Sequence, residues 1–304
     1  MYFTQDKITE IFVLADEFCK EFEKTMSNYT IGNAPKKKPK MSTSEVICIM
    51  IIFHGMNQKT MKNLYLNFVQ KHLKDLFPQT VSYNRFVELM QQSALPLSMF
   101  LKLCCLGECT GITYVDSTPV RVCKNKRIKR NKVFKDTATL GKSTMGYFFG
   151  FKLHLIVNEK GDLLNFQITQ ANTDDREPLK NPKFTEKISG KLYGDKGYLS
   201  AKLNQILFAN DIHLFTTIKK NMTNSLMTLA DKILLRKRSI IETINDELKN
   251  ICQVEHSRHR SFENFITNLI SGLIAYCFFP KKPAIKVEHS ASNQLSLFLS
   301  NSGY

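Results

Sequence analysis

Between residues 111 and 251 the sequence alternates strand-like runs with helix-like runs, and this order constrains the fold more than any other feature. The strand-like runs are rich in β-branched and aromatic residues, and two of them flank Asn158-Glu159-Lys160-Gly161-Asp162, a good hairpin turn. Predicted strands cover residues 112–116, 147–157, 163–169, 191–194 and 212–218, and predicted helices cover 202–210 and 230–251. The connection 174–189 is predicted to be partly helical. This order predicts an α/β fold in which helices flank a mixed five-stranded sheet.

The first hundred residues carry a helical pattern. Residues 8–23 place apolar side chains at helical spacing, and a basic, proline-bounded linker follows at 35–40. Ser42-Thr43-Ser44-Glu45 supplies helix-start chemistry, and amphipathic runs follow at 46–53, 61–76 and 83–90. We predict a small all-helical N-terminal domain over residues 1–105, an α/β domain over 106–283 and a loosely structured tail over 284–304.

The charge balance points to a polyanionic partner. Lys and Arg outnumber Asp and Glu by 43 to 27, which gives a net charge of +16 and an isoelectric point near 9.4. Such an excess attracts nucleic acid or an anionic membrane surface. Because no apolar run reaches the roughly 18 residues that a spanning helix needs, we expect DNA or RNA and no membrane.

The termini and the cysteines predict a cytoplasmic protein. The N-terminal residues lack the basic start, apolar run and cleavage site of a signal peptide. The eight cysteines lie mostly in apolar segments and are expected to be reduced thiols. Cys104, Cys105 and Cys109 lack a second ligand pair at zinc-finger spacing, so we expect no structural zinc.

Two aspartates occupy equivalent places in the predicted sheet. Asp116 and Asp195 each stand at the carboxyl end of a strand that enters a loop. In α/β sheets this edge is where functional sites form. Phosphodiester chemistry uses two divalent ions about 4 Å apart, and carboxylates are their natural hard-oxygen ligands. Either aspartate taken alone could equally be the cap of a turn.

A third acid lies on the predicted helix 230–251. At about 100° per residue, Arg238, Glu242 and Lys249 fall on one polar stripe. The opposite, apolar stripe that should face the sheet consists of Ile240, Ile241, Ile244, Leu248 and Ile251. Glu247 points away from the polar stripe, and Asp246 is the alternative third ligand. A solvated helix face with intrahelical charge pairs explains the same pattern without a site.

Three segments resemble the three motifs of DDE transposases of bacterial insertion sequences, within the retroviral-integrase and RNase H-like superfamily. They are Tyr114-Val115-Asp116-Ser117, Tyr193-Gly194-Asp195-Lys196-Gly197-Tyr198 and Arg238-x3-Glu242-x6-Lys249. Residues 151–155 and 170–175 resemble the hairpin and following loop of such enzymes. Residues 257–261, Ser-Arg-His-Arg-Ser, are similar to insertion-sequence family nine-eight-two. The resemblance spans residues 42–283, and it departs at Leu235, where related transposases often have Tyr.

The resemblance implies an RNase H-like catalytic domain that acts on double-stranded DNA. Asp116, Asp195 and Glu242 would bind two Mg²⁺ ions, or Mn²⁺, while Arg238 and Lys249 would contact the phosphates of the transposon ends or the surroundings of the metal site. The enzyme would cut DNA at the terminal inverted repeats and join the freed 3′ hydroxyl to target DNA. Pairing of two ends implies a homodimer or a larger assembly on DNA.

Basic residues near the predicted site are candidates for phosphate contacts. The run at 124–132 follows Asp116 closely and contains Lys126, Arg127, Lys129 and Arg130. Arg258 and Arg260 would extend the same track. In the N-terminal unit, 59–70 or 83–90 could be a groove-reading helix, although neither has a clear helix-turn-helix signature. His154 is interpreted as a packed or hydrogen-bonded sheet residue.

Two other functions fit the same residues. One is an RNase H-like nuclease that cleaves without strand transfer. The other is a DNA-binding protein descended from a transposase whose site is no longer used. The intact set of Asp116, Asp195 and Glu242 argues against the second alternative.

Overall fold

The computed structural model describes residues 3–27, 29, 39–56, 58, 60–217, 227–255 and 259–286. Before the sheet, the helices are α1 Gln5–Ser27, α2 Thr43–Gly55, α3 Met61–Asn63, α4 Gln70–His72, α5 Tyr83–Gln92 and α6 Ala94–Phe100. A π-helical segment, Leu64–Val69, joins α3 to α4, and another, Leu101–Cys105, continues α6. The predicted helical character of this region is confirmed.

Helix α2 shows how local sequence starts an element. The Ser42 hydroxyl accepts from the Glu45 backbone N–H at 3.1 Å, and the Glu45 carboxylate accepts from the Ser42 backbone N–H at 2.7 Å. This capping box satisfies donors that the first turn of a helix leaves free. The helix is apolar on all sides and packs against α1 on one side and the C-terminal helix on another. Such a helix belongs in a core.

Six strands form one mixed sheet: β1 Ile112–Cys123, β2 Thr139–Ser143, β3 Gly146–Asn158, β4 Leu163–Gln170, β5 Gly190–Gly194 and β6 Ile212–Thr216. The order across the sheet is β6, β5, β1, β3, and then β2 and β4, which pair with successive parts of the outer edge of β3. Strands β1, β5 and β6 are mutually parallel, whereas β3 is antiparallel to its neighbours. The predicted fold class, a mixed sheet flanked by helices, is confirmed, with one strand more than expected.

Strand β1 is longer than the sequence suggests. The predicted end at residue 116 is wrong, because pairing with β3 continues to Cys123. Pairing with β5 stops at Tyr114, so the side of β1 that faces β5 has no partner strand beyond this residue. Pro119 therefore lies where a residue without an N–H is tolerated. Strand β2 was not predicted, because Thr139-Leu140-Gly141-Lys142-Ser143 has little strand propensity and depends on its partner β3.

The helices around the sheet are α7 Pro182–Thr185, α8 Ala201–Phe208, α9 Leu229–Arg236, α10 Ser239–Asn250 and α11 Phe262–Cys277. The connection 174–189 is partly helical, as predicted, because Pro178 begins a 3₁₀ turn and Pro182 begins α7. The single helix predicted over 230–251 is wrong, because the chain breaks at Lys237 and Arg238. There the Arg238 N–H bonds to the Leu235 carbonyl, a tightened turn.

The sheet has an apolar cluster on each face. The larger one contains Tyr114, Leu153 and Leu155 and continues through α11 into α1 and α2. The smaller one packs Val115, Ile156 and other residues against α8. Because α11 lies among α2, α5 and α6, the helical region and the sheet share one core. The division at residue 105 stays a prediction, and the predicted tail lies mostly outside the described residues.

Of the helices within the described ranges, none has the length and apolar character needed to cross a bilayer.

Candidate active site

Strands β1 and β5 bring the two predicted aspartates close together, at the point where β5 ends and β1 continues. Tyr114 of β1 is the register partner of Tyr193 of β5, and Asp116 and Asp195 each follow two residues later. The two tyrosine rings stack with centroids 5.5 Å apart and fix the spacing below the acids. Neighbouring parallel strands lie about 4.8 Å apart, so the two aspartates start from adjacent positions.

Asp116 lies in a poorly solvated, acidic environment. Burial, the largest influence, raises the pKa of its carboxyl to about 6, and Asp195 and Glu242 add to the rise. The Ser117 backbone N–H and the Arg238 guanidinium act in the opposite direction. The charged form is therefore disfavoured by burial and by other acids, which is the environment in which a bound cation is stabilising.

Asn245 was missed by the sequence interpretation. Its side-chain amide donates to Asp116 Oδ2 at 3.1 Å from helix α10, which packs against β1. At helical spacing Asn245 falls on the same polar stripe as Arg238 and Glu242. The spacing therefore marks Asn245, although a neutral side chain among acids and bases is not an obvious part of a metal site.

Asp195 begins a tight turn after β5. Its carboxylate accepts from the Gly197 backbone N–H at 2.6 Å and so caps the turn Lys196–Tyr198. A Cβ atom at position 197 would lie 2.8 Å from Asp195 Oδ1, closer than a carbon normally approaches. Glycine at this position therefore leaves room for the carboxylate.

Glu242 and Arg238 form an ion pair at the start of α10, with 2.6 Å between Arg238 Nη2 and Glu242 Oε1. The predicted polar stripe is supported, because Ile240, Ile241, Ile244 and Leu248 are buried on the other side. Lys249 lies at 3.9 Å from Glu255, and burial lowers the pKa of its ammonium group, with Asp116 among the nearby charges that oppose the shift.

The alternative acids of α10 point elsewhere. Asp246 accepts from the Asn250 side chain at 2.5 Å on the exposed surface of the helix. Glu247 lies on the buried side, near Cys252 and Tyr276, as its position on the helix predicts. Within the described part of the chain, no group of three His, Cys, Asp or Glu side chains is arranged to hold a metal ion together. Glu242 is paired with Arg238 instead of joining the two aspartates.

A second polar group lies behind the aspartates. Asp175 Oδ1 accepts from the Ser117 hydroxyl at 2.8 Å and from Lys152 Nζ at 2.9 Å. Tyr198, fully buried, approaches Ser117, but its hydroxyl makes no hydrogen bond of standard geometry with a described residue. The sequence interpretation gave these residues no role, because strands and loops far apart in the chain bring them together. His154 is also buried on β3, with Nε2 at 2.8 Å from the Thr169 hydroxyl.

The basic candidates lie on exposed surface. Lys126, Arg127, Lys129 and Arg130 belong to the 3₁₀ turn Asn125–Arg130, and none of them forms an ion pair with another described residue. The Asn125 side chain fixes this turn to the β2–β3 hairpin by donating to the Tyr147 carbonyl at 2.9 Å. Arg260 is exposed near Tyr83 of α5, whereas Arg258 lies outside the described residues.

The two candidate groove-reading helices differ in what they expose. In α5, Phe86 and Met90 are buried while Arg85 and Glu88 pair on the surface at 2.6 Å. In the α3–α4 region, Tyr65 is buried and donates to the Val81 carbonyl at 2.8 Å. The aromatic side chains Tyr65 and Phe86 stack on each other in the core.

Residues 106–262 match the family described as "Transposase DDE domain". The match covers just over half of the chain, and the chain belongs to this family. The DDE transposase expectation is thus confirmed at the level of the family.

Two solved transposase structures are similar to this chain. One is the cryo-EM structure of the piggyBac transposase synaptic complex with hairpin DNA, with 11% identity and a TM-score of 0.40, covering 91% of this chain and 73% of that one. The other is the Mos1 transposase paired-end complex with the left transposon end, with 10% identity and a TM-score of 0.22, covering 89% of this chain and 88% of that one. A search among curated proteins gives no match.

Proposed function

We propose that this chain is the transposase of a bacterial insertion sequence similar to family nine-eight-two. It would cleave DNA at the ends of the element and transfer the freed 3′ hydroxyl to target DNA. The observation that carries the proposal is the register of β1 and β5, which starts Asp116 and Asp195 from adjacent positions where β5 ends. The family match over residues 106–262 supports the same class of enzyme.

The donor set fits Mg²⁺ or Mn²⁺. Asp116, Asp195 and Glu242 offer hard carboxylate oxygens, which these ions prefer. Burial raises the pKa of Asp116, and Asp195 and Glu242 add to the rise, so its carboxylate is one that a bound cation would stabilise. Two such ions, when bound, activate the attacking hydroxyl and stabilise the leaving oxygen of the phosphodiester.

The protein groups around the acids have separate roles in this proposal. Asn245 and the Ser117 N–H orient the Asp116 carboxylate by hydrogen bonding. Glu242 would leave its ion pair with Arg238 and become a metal ligand. Arg238 would then contact a DNA phosphate. Lys249 would hold a second phosphate near the same site.

Double-stranded DNA is the proposed partner. Lys126, Arg127, Lys129, Arg130, Arg258 and Arg260 would bind backbone phosphates, which gives affinity without sequence reading. The N-terminal helices would recognise the terminal repeats. Because two ends are joined in one reaction, the working form would be a homodimer or a larger assembly. An enzyme of a bacterial insertion sequence acts on chromosomal DNA, so we place it in the cytoplasm.

The test is an end-cleavage and strand-transfer assay with labelled terminal-repeat DNA and Mg²⁺. Asp116→Asn should abolish both reactions and keep DNA binding, because the charge that holds the metal is lost. Asp136→Asn, at an exposed aspartate, is the matched control and should be fully active.

Three other results would point elsewhere. Cleavage without strand transfer by the wild-type protein would indicate the nuclease. DNA binding without either reaction would indicate an idle descendant of a transposase. Unchanged cleavage by Asp116→Asn would rule out the proposed metal site.

A further inference from the structure

Asp175 connects three parts of the chain through one carboxylate oxygen. Its Oδ1 accepts from the Ser117 hydroxyl of β1 at 2.8 Å and from Lys152 Nζ of β3 at 2.9 Å. Lys152 Nζ also donates to the Thr173 carbonyl at 2.8 Å, in the segment that follows β4. The ammonium group of Lys152 is largely buried, with 14% of the side chain exposed. A charge-assisted network of this kind holds its members in one geometry.

The network lies directly behind Asp116. In the antiparallel pairing of β1 with β3, Ser117 is opposite His154 and Pro119 is opposite Lys152. Side chains alternate along a strand, so Ser117 and Lys152 share the face that Asp116 does not use. Ser117 follows Asp116 directly in β1, and its backbone N–H favours the ionised form of the Asp116 carboxyl. The residue that Asp175 holds is therefore the residue that holds Asp116.

Tyr198 lies next to the same network, in the segment that follows Asp195. It is three residues beyond Asp195, 2% of its surface is exposed, and its hydroxyl has no hydrogen-bond partner among the described residues. Burial, followed by Asp116, Asp175 and Asp195, raises its pKa well above the usual value, whereas the Ser117 side chain acts in the opposite direction. A buried tyrosine hydroxyl thus lies within electrostatic range of Asp175 and of both aspartates of the candidate site.

We propose that Asp175 is a positioning residue, which acts through Ser117 to fix the Asp116 carboxylate for metal binding. This inference rests on the proposed function, since it takes Asp116 as a metal ligand. The neighbouring Asp174 provides the contrast, because it pairs with Arg176 at 2.5 Å on the surface and, among the described residues, forms no hydrogen bond with Ser117 or Lys152. Substituting these two adjacent aspartates one at a time therefore distinguishes a positioning role from an ordinary surface ion pair.

The experiment measures Mn²⁺ binding to the full chain by calorimetry, without DNA, and end cleavage at saturating DNA. Asp175→Asn should weaken Mn²⁺ binding and lower kcat, each by about tenfold or more, because partners of metal ligands typically contribute that much. The KM for DNA should stay unchanged. Asp175→Glu keeps the charge and should recover part of both losses. Asp174→Asn is the matched control and should match the wild type.

Ser117→Ala keeps the Asp175–Lys152 pair and provides a second variant if Asp175→Asn folds poorly. It should shift Mn²⁺ binding in the same direction. Wild-type Mn²⁺ affinity in both Asp175→Asn and Ser117→Ala would overturn the inference, and so would equal losses in Asp174→Asn. If Asp116→Asn alone weakens binding, the positioning role fails and the proposed function stands. If Asp116→Asn binds Mn²⁺ like the wild type, both fail.

Discussion

At the scale of single residues, opposing interactions act on the pKa of the Asp116 carboxyl. Burial and two neighbouring acids favour its protonated form, while the Ser117 N–H and Arg238 favour the ionised form. Asn245 adds a neutral donor at Oδ2, which fixes the direction of the carboxylate without adding charge. A neutral partner suits a ligand whose negative charge must remain available to a cation.

We predict that Asn245→Ala lowers end cleavage at saturating metal by about tenfold, because Asp116 loses the donor that orients it. The free energy of unfolding should fall by only about 1 kcal/mol, the usual net contribution of one hydrogen bond. Cleavage rates and urea unfolding measure the two effects separately. Asn250→Ala is the control, since Asn250 bonds to Asp246 on the exposed side of the same helix. Equal rate losses in both variants would contradict a specific role for Asn245.

The sequence identifies acids more readily than their partners. Asp116 and Asp195 stand at recognisable places in strand-like runs, and helix spacing groups Glu242 with Arg238. Ser117 and Asp175 meet across 58 residues of chain, and Asn245 reaches Asp116 across 129. Such contacts depend on strand pairing and helix packing, which no local pattern specifies.

At the scale of elements, the break between α9 and α10 shows tertiary structure overriding local propensity. Residues 229–250 contain neither Gly nor Pro, so the sequence predicts one helix. In the structure, α9 is anchored to β5 because Asp231 accepts from Lys191 Nζ at 2.6 Å and from the Tyr193 hydroxyl at 2.9 Å. Helix α10 packs against β1 instead. The turn at Arg238 allows each helix to meet its own strand.

The basic 3₁₀ turn is the element with the clearest electrostatic prediction. Replacing Lys126, Arg127, Lys129 and Arg130 with Ala should weaken DNA binding for every sequence. The slope of log affinity against log salt should become shallower by about 3 to 4, because each phosphate contact contributes roughly 0.9. Fluorescence anisotropy over a salt series measures this slope.

The control for that variant replaces Lys7, Lys20 and Lys24 of α1, which removes charge from a different surface. It should change the slope little. A similar change in both variants would show that net charge, and not this turn, determines the affinity.

At the scale of the whole molecule, a buried histidine links the N-terminal helices to the segment that follows α10. His54 of α2 is fully buried, and its Nδ1 is hydrogen-bonded to the Cys252 carbonyl beyond α10. Gly272 of α11 packs against the same imidazole. A Cβ atom added at this glycine would be in van der Waals contact with the ring of His54. The sequence divides the chain at residue 105, because strand-like runs begin only after it. The sequence does not predict that α11, near the end of the chain, packs into the core of the first hundred residues.

This arrangement predicts that stability falls as the pH falls from about 6.5 towards 4. Burial lowers the pKa of His54 to about 4, and burial does the same for His154 and His259. The unfolded chain has ordinary histidines, with a pKa near 6.5, so in this window it binds more protons than the folded protein. Each of the three then lowers the free energy of unfolding by up to about 1.4 kcal/mol per pH unit.

Urea unfolding at pH 7.5 and 5.5 measures the loss, and salt separates its possible causes. Self-repulsion of a chain with a net charge of +16 also grows in acid, but added salt screens it. Protonation of histidines released from the core is a local equilibrium and persists at 0.5 M NaCl, a concentration at which the Debye length is only about 4 Å. A loss of stability that vanishes at high salt would assign it to net charge. A loss that remains would show that the shared core keeps these histidines neutral.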